Sequence, residues 1–140
     1  MNGVLEESIS GFYAALRERG ITPEIRMTEQ RVVRCVNRAA LSRVFSNLIS
    51  NALKYSGGDL RIELTAAGEV FFSNTAPGLS EVEVGRLFDR FYTVENARTS
   101  TGLGLSIAKV LAGQMGGALL ADYEAGRLTL CVRLPEGAAK

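Results

Sequence analysis

The stretch "LSRVFSNLISNALKYS", Leu41 to Ser56, decides how this chain folds, because it carries two different faces of one helix. Its apolar residues recur at helical spacing and predict a buried side: Leu41, Phe45, Leu48 and Ala52. Asn47, Asn51 and Lys54 follow one another at i, i+4 and i+7 and form a second stripe. We expect the helix to run from Arg38 to Tyr55, with Gly57 and Gly58 ending it.

The second stripe is unusual because asparagine is a poor helix former in the middle of a helix. A hard cation that bridges phosphate groups would explain it. Mg²⁺ prefers oxygen ligands and takes few of them from protein, and an amide oxygen does not repel a triphosphate as a carboxylate does. Lys54 could then neutralise phosphate oxygens. A solvated helix face with two chance asparagines remains the alternative at this point.

A second junction, "TSTGLGLSIAK" from Thr99 to Lys109, places glycines directly before a predicted helix that extends from Gly102 to Met115. Gly102 and Gly104 let the backbone approach a ligand closely, and the helix presents free N–H groups and a positive dipole end. The intervening leucines, Leu103 and Leu105, would pack inward. The spacing matches neither a P-loop nor a dinucleotide fingerprint. Glycines that serve packing alone are the alternative.

The remaining chain alternates short strands with helices. The other predicted elements are a helix from Val4 to Arg19, strands in "TPEIRMT" and "RVVRCV", a hairpin of Leu60–Ala66 and Glu69–Asn74, a short helix from Ser80 to Phe88, a polar loop from Thr93 to Thr101, and a final hairpin turning at Ala125 and Gly126. This order predicts an α/β chain of the α+β two-layer type. Its mixed, mostly antiparallel sheet carries about three helices on one face, and its other face is partly wet.

The amino-acid composition limits the functions that this chain can have. The 140 residues suit one domain, 46% of them are hydrophobic, and the net charge of +1 predicts neither a nucleic-acid partner nor direct membrane contact. The chain has no histidine, which removes the commonest general base and any phosphohistidine formed on this chain. Cys35 and Cys131 lie in apolar strand-like runs and are interpreted as buried, reduced thiols of a cytoplasmic protein. We find no bilayer-spanning run and no signal peptide in the sequence.

Four motifs in order resemble those of sensor histidine kinases. "NLISNALKYS" resembles their N box, "NTAPGLS" the first glycine box, "RLFDRFYT" the F box, and "TGLGLSIAKVLAGQMGG" the second glycine box. Four ordered motifs are far more specific than any one of them. The resemblance implies a Bergerat-type fold, as in the gyrase, mismatch-repair and heat-shock chaperone ATPases, with ATP between the N-box helix and a flexible lid. It also implies ATP and Mg²⁺ as ligands and transfer of the γ-phosphate to a histidine.

The resemblance further assigns roles to individual residues. Asn47 and Asn51 match magnesium- and phosphate-contacting asparagines, with Asn51 the stronger candidate for the metal, and Lys54 matches a phosphate contact. The remaining matched positions are Tyr55, which stacks on adenine or packs in the core; Asn74 and Gly78 of the first glycine box; Phe88 and Phe91, which pack the base of the lid; Thr101, Gly102, Leu103, Gly104 and Leu105 of the lid and its helix; and Arg90 and Arg98, which are candidates to reach the γ-phosphate.

The sequence also departs from the family. Asn74 stands where an aspartate usually accepts from the adenine amino group, Ala76 replaces a usual glycine, and Ser100 stands near the place of another. A neutral amide still accepts, with a bond weaker by about 1 kcal/mol, but it can also turn and donate. The sequence therefore leaves open whether ATP binding weakens and whether guanine is rejected.

The resemblance implies that residues 1–19 form the tail of a connection to a dimerisation and phosphoacceptor domain that this chain lacks, and that residues 20–140 form the catalytic domain. The implied partners are that domain and, through it, a response regulator. The implied location is the cytoplasmic part of a membrane-anchored bacterial sensor. Three alternatives stay open: an anti-sigma-factor-type serine kinase, a degenerate nucleotide-binding scaffold, and a purely structural α/β domain.

Overall fold

The computed structural model describes residues 2–29, 32, 37–76 and 104–134. Its elements follow the chain as α1 (Asn2–Gly11), α2 (Tyr13–Glu18), β1 (Glu24–Met27), α3 (Arg38–Tyr55), β2 (Arg61–Leu64), β3 (Glu69–Thr75), α4 (Gly104–Gln114), β4 (Ala118–Glu124) and β5 (Arg127–Arg133). Within these ranges no helix combines the length and the apolar content that crossing a membrane requires.

The strands of the described ranges form one open five-stranded sheet in the order β1-β2-β3-β5-β4. β1 and β2 are parallel, with Ile25 opposite Ile62, and the other three pairs are antiparallel. In the central pair, β3 and β5, Phe72 lies opposite Leu130 and Thr75 opposite Arg127. The predicted mixed, mostly antiparallel sheet is therefore confirmed.

The helices cover one face of this sheet. α3 packs over β3, α4 packs against both α3 and β4, and α1 packs against α3. The rings of Phe45 and Phe72 join α3 to β3, with centroids 6.0 Å apart and planes tilted by 43°. The predicted apolar stripe of α3 is buried throughout: Leu41, Phe45, Leu48 and Ala52. The predicted two-layer arrangement is confirmed.

The opposite face of the sheet is mostly polar, as expected. Outward side chains pair across the strands, as in Arg133 with Glu69 at 3.0 Å and Arg61 with Glu24 at 3.6 Å. Cys131 also lies on this face and is buried and unpaired as a thiol, which confirms that part of the cysteine prediction. Burial raises the pKa of the Cys131 thiol, which favours the protonated form at neutral pH.

The N-terminal segment corrects one prediction. The expected single helix from Val4 to Arg19 is broken at Phe12, which has φ −108° and ψ 3° and separates α1 from α2. Phe12 packs against the core, and its N–H bonds to the Ile9 carbonyl at 3.0 Å in a tighter turn. The predicted strand at 31–36 lies outside the described residues apart from Val32, and so does Cys35 within it. The predicted helix at 80–88 and the predicted loop at 93–101 lie outside them entirely.

Candidate functional site

Helix α3 carries the predicted asparagine stripe, and its ends are explained by local hydrogen bonds. Asn37 Oδ1 accepts from the Ala40 N–H at 3.0 Å and caps the first turn. At the other end Ser56 Oγ accepts from the N–H groups of Gly58 and Asp59, at 3.0 and 2.9 Å. The chain therefore leaves the helix directly after the site residues, at the positions the sequence predicts.

Asn51 is the most informative side chain of the stripe. It is only 3% exposed, and its Nδ2 is the one buried side-chain nitrogen or oxygen in the described part of the chain without a hydrogen-bond partner. Leaving a buried donor unsatisfied costs about 1–3 kcal/mol. Because the two ends of a carboxamide exchange by a half-turn, this group can offer a donor to phosphate or an oxygen to a cation. Asn51 therefore fits a ligand rather than the folded domain alone.

The neighbours of Asn51 on the stripe are more accessible. Asn47 and Lys54 are both half-buried, one turn before and one turn after Asn51 on the helix. Partial burial lowers the pKa of Lys54 below its ordinary value, because the ammonium loses hydration. A bound phosphate would stabilise the ammonium charge in place of the lost hydration. The stripe thus presents one cation beside two carboxamides, which suits an anionic ligand carrying a hard metal.

Two contacts fix how α3 and β3 run relative to each other. Phe45 meets Phe72 in the middle of the layers, and the Gly57 N–H donates to the Thr75 carbonyl at 2.9 Å where both elements end. Asn51 lies between the two contacts on α3, and Asn74 lies between them on β3. Both asparagines therefore occupy the same end of the domain. Asn74 is 2% exposed, and like Phe72 it points to the helix-covered face of the sheet.

Helix α4 begins at this same end. Its last turn lies at the far end of the sheet, where Gly117 sits against the Arg133 carbonyl and the Leu134 side chain. Because α4 packs along α3 and β4, its first residue, Gly104, points back toward the end that holds Asn51 and Asn74. Its N-terminal N–H groups and positive dipole end face that region. Leu105 is 7% exposed and belongs to the core, as expected for a leucine that holds the turn.

A polar network around Thr75, the residue after Asn74, was not predicted from the sequence. Asp59 Oδ1 accepts from the Thr75 N–H at 2.8 Å and from its Oγ1 at 2.6 Å, and Asp59 Oδ2 pairs with Arg127 Nη2 at 2.8 Å. Partial burial, the largest single influence, raises the pKa of Asp59, but the bonds from Thr75 and Arg127 together hold it below its ordinary value. No local motif marks the role of the Asp59 carboxylate, since Thr75 and Arg127 lie 16 and 68 residues away along the chain.

Several predicted site residues lie outside the described residues. They are Gly78, Arg90, Arg98, Thr101, Gly102 and Leu103, together with Phe88, Phe91 and the side chain of Tyr55. A groove of about 540 Å³ does occur among the described residues, but it lies between β1 and β2 and is lined by residues such as Met27, Glu63 and Thr65. None of the predicted site residues lines it.

Comparison with known proteins agrees with the motif order. The sequence pattern described as "Histidine kinase-, DNA gyrase B-, and HSP90-like ATPase" matches residues 36–138. The chain is similar to sensor histidine kinase YcbM of Bacillus subtilis (strain 168), with 30% identity over 145 residues, covering 95% of this chain and 47% of YcbM. It is similar also to sensor protein VanSC of Enterococcus gallinarum, with 33% identity over 96% of this chain and 39% of that protein. The chain thus spans less than half the length of these two relatives.

Solved structures give the same fold. The mycobacterial sensor histidine kinase MprB superposes with a TM-score of 0.79 and 28% identity, over 96% of this chain and 93% of that one. The catalytic domain of histidine kinase ThkA superposes with a TM-score of 0.82 over 97% of this chain and 92% of that one, and at 20% identity it supports the fold alone. Full-length ShkA, solved in complex with AMPPNP, superposes with a TM-score of 0.75 at 26% identity, over 98% of this chain and 30% of that one.

Proposed function

This chain belongs to the family of histidine kinase-, DNA gyrase B- and HSP90-like ATPases, and from that premise we propose that it binds Mg·ATP and supplies the γ-phosphate to a histidine on a separate domain. The chain is the ATP-binding catalytic part of a sensor histidine kinase. It contains no histidine, so the nucleophile comes from elsewhere. In the transfer the bond from the γ-phosphorus to the β–γ bridging oxygen breaks, a phosphorus–nitrogen bond forms, and ADP leaves.

Asn51 is the observation that carries this proposal. This buried carboxamide, whose Nδ2 has no partner among the described residues, stands at the end of the domain where Asn74 and the first turn of α4 also lie. Asn51 and Asn47 would hold Mg²⁺ and phosphate oxygens, and Lys54 would neutralise phosphate charge. Bound Mg²⁺ would offset the negative charge of the triphosphate. Asn74 and Tyr55 would receive the adenine base.

The residues beyond the described ranges complete the proposed site. Gly78 would border the base, and the backbone of Thr101, Gly102 and Leu103 would lie over the phosphates. Arg90 and Arg98 are proposed to reach the γ-phosphate, since a guanidinium binds two phosphate oxygens at once. Phosphoryl transfer depends mainly on positioning and charge neutralisation, so these groups need no general base among them.

We propose that the acceptor histidine lies on a dimerisation domain joined before residue 20, and that a response regulator receives the phosphate from it. The whole protein would be a membrane-anchored bacterial sensor with this domain in the cytoplasm. The chain would then bind nucleotide alone and turn it over slowly, because its nucleophile is on another domain.

The experiment compares Asn51→Ala with a matched control on the same helix, Asn37→Ala. Asn37 caps α3 about 21 Å from Asn51, as 14 residues rise 1.5 Å each. We expect Asn37→Ala to lose about 1 kcal/mol of stability and keep Mg·ATP affinity in calorimetry. Asn51→Ala should keep the fold and lose the affinity. Equal affinity of both variants for Mg·ATP would refute the role of Asn51.

Transfer itself is tested with γ-labelled ATP and a separately produced helical domain that carries the histidine. The proposal predicts label that acid removes, as from a phosphoramidate. Acid-stable label on a serine would instead support the anti-sigma-factor-type kinase. Nucleotide binding without any label on either partner would support the scaffold.

A further inference from the structure

We infer that Asp59 and Tyr123 are positioning residues of the nucleotide site, because they hold the backbone of residues 75–76 from two sides. The inference rests on the proposed function, in which the carboxamide face of α3 and the chain that leaves β3 form two walls of the site. Neither Asp59 nor Tyr123 belongs to one of the four sequence motifs. Both act through the backbone that leads from β3 to Gly78.

Asp59 holds Thr75 on the side of β2. Asp59 Oδ1 accepts from the Thr75 N–H at 2.8 Å and from Thr75 Oγ1 at 2.6 Å. The Thr75 carbonyl accepts from the Gly57 N–H at 2.9 Å, and the Asp59 N–H donates to Ser56 Oγ, also at 2.9 Å. Ser56 directly follows the last residue of α3. Three hydrogen bonds therefore tie Thr75 to residues 57–59, just beyond the helix that carries the asparagine stripe.

Tyr123 holds Ala76 on the other side of β3, where the sheet continues with β5 and β4. Tyr123 Oη donates to the Ala76 carbonyl at 3.0 Å, and the Ala76 N–H donates to the Gly126 carbonyl at 2.8 Å, in the turn between β4 and β5. Ala76 is fully buried. A buried carbonyl that lost the tyrosine hydroxyl would have no water to replace it, so the hydroxyl keeps this peptide group in place.

The separation of the two walls decides how tightly a ligand that touches both of them binds. If the walls match the ligand in only a fraction of the molecules, the apparent Kd rises by the inverse of that fraction. Bonds that hold the walls before the ligand arrives therefore strengthen binding without touching the ligand. Removing the partner of a buried carbonyl, or two bonds to one residue, shifts such an equilibrium by about fivefold or more.

The first test removes the tyrosine hydroxyl alone and measures the Kd of Mg·ATP by calorimetry, at a temperature where every variant is fully folded. For Tyr123→Phe we expect the Kd to rise by about fivefold or more. Tyr13→Phe makes the same change at an exposed tyrosine of α2 and should keep the wild-type Kd. A smaller rise in Tyr123→Phe overturns its role, because a hydroxyl that only stabilises the fold does not change the affinity of folded molecules.

The second test concerns Asp59. Asp59→Ala removes two bonds from Thr75 and should raise the Kd by about fivefold or more, whereas Asp59→Asn keeps an oxygen that accepts from Thr75 and should restore the affinity. Glu69→Ala is the matched control. Glu69 forms a carboxylate–arginine pair with Arg133 on the same face of the sheet, about 20 Å from Thr75, since six strand residues rise about 3.4 Å each. Its loss should leave the affinity unchanged.

The outcomes for Asp59 are decisive in both directions. Wild-type affinity in Asp59→Ala overturns the role of Asp59. Equal losses in Asp59→Ala and Asp59→Asn also overturn it, because the negative charge and not the bond to Thr75 would then act on the nucleotide. If Asp59→Ala does not fold, Thr75→Val removes the Oγ1 bond alone and replaces it in the comparison, with Thr75→Ser as the variant that restores the bond.

Hydrogen exchange provides a local readout in the absence of nucleotide. Tyr123→Phe should speed exchange of the Ala76 amide by more than that of the Phe72 amide in the middle of β3. Equal acceleration of both amides would indicate a general loss of stability and overturn the positioning role. No binding of Mg·ATP to the wild type would refute the proposed function, whereas normal wild-type binding with unchanged affinity in Tyr123→Phe and Asp59→Ala overturns this inference alone.

Discussion

Replacing Asn51 by leucine should make the nucleotide-free domain more stable and at the same time unable to bind Mg·ATP. The Asn51 side chain is 3% exposed and its Nδ2 has no partner within the described residues, so the wild-type fold bears the cost of a desolvated donor. Leucine has a similar shape and no polar atom. We expect the free energy of unfolding to rise by about 1–3 kcal/mol, since an apolar group of the same shape removes that cost. Leucine also favours the helix more than asparagine does.

The assay is thermal unfolding with and without Mg·ATP. For a chain of 140 residues, each 1 kcal/mol shifts Tm by about 3–5 °C. Nucleotide at 100 times its Kd should stabilise the wild type by about 2.7 kcal/mol and leave Asn51→Leu unchanged. The variant should therefore melt higher than the wild type without nucleotide and gain nothing when nucleotide is added.

Asn47→Leu provides the matched control on the same helix face. Asn47 is half-buried and already takes part in an interaction, so leucine there should bring no gain in stability. The reasoning is refuted if Asn51→Leu lowers the melting temperature of the nucleotide-free domain. It is refuted also if the variant keeps the Mg·ATP shift of the wild type.

Three further perturbations follow from other parts of the structure. Gly117→Ala would place a Cβ 2.3 Å from the Arg133 carbonyl oxygen and should lower the free energy of unfolding in urea by about 1–3 kcal/mol. Gly113→Ala, whose Cβ would have no atom of the described residues within 4 Å, should raise it by about 0.5–1 kcal/mol, and equal effects of the two changes would contradict the contact. The pKa of Asp59 is held below its ordinary 3.8, so the Asp59 carboxylate stabilises the fold fully above pH 3.8 and loses this effect as pH falls through the folded-state pKa. Asp59→Asn should remove this part of the pH dependence of the free energy of unfolding, and an unchanged acid titration would count against the network. Burial lowers the pKa of Lys54, so just below pH 10.5 the unfolded state binds more protons than the folded state, and the free energy of unfolding should rise with pH there. Lys54→Met should flatten that rise, and a rise of the same size in the variant would assign it to another group.

The central helix could be predicted from the sequence because its signals are local and agree. Asn37 caps it, the apolar residues repeat at helical spacing, and Ser56 with the following glycines ends it, so α3 runs from Arg38 to Tyr55 as expected. The N-terminal segment has the same apolar spacing but breaks at Phe12. Packing of Phe12 on the core outweighs the local preference there, and the spacing of apolar residues carries no sign of it.

Part of the candidate site could likewise be predicted from the sequence, and part could not. The stripe of Asn47, Asn51 and Lys54 depends only on helical geometry, so its residues could be named from the sequence. The contacts that hold Thr75 could not be named, because they come from Gly57 and Asp59, which lie 18 and 16 residues away from Thr75 along the chain. These partners meet only after β2 and β3 have paired.

The claim that the carboxamide face of α3 holds Mg·ATP is tested most directly by nuclear magnetic resonance with Mn²⁺ in place of Mg²⁺. A paramagnetic ion broadens the resonances of protons close to it, and the side-chain NH₂ groups of asparagines give separate signals. With Mn·ATP bound, we expect the signals of Asn51 and Asn47 to broaden and to recover with excess Mg²⁺, while that of Asn37 stays sharp. If the Asn51 signal stays as sharp as that of Asn37 when the site is saturated, the metal is not there.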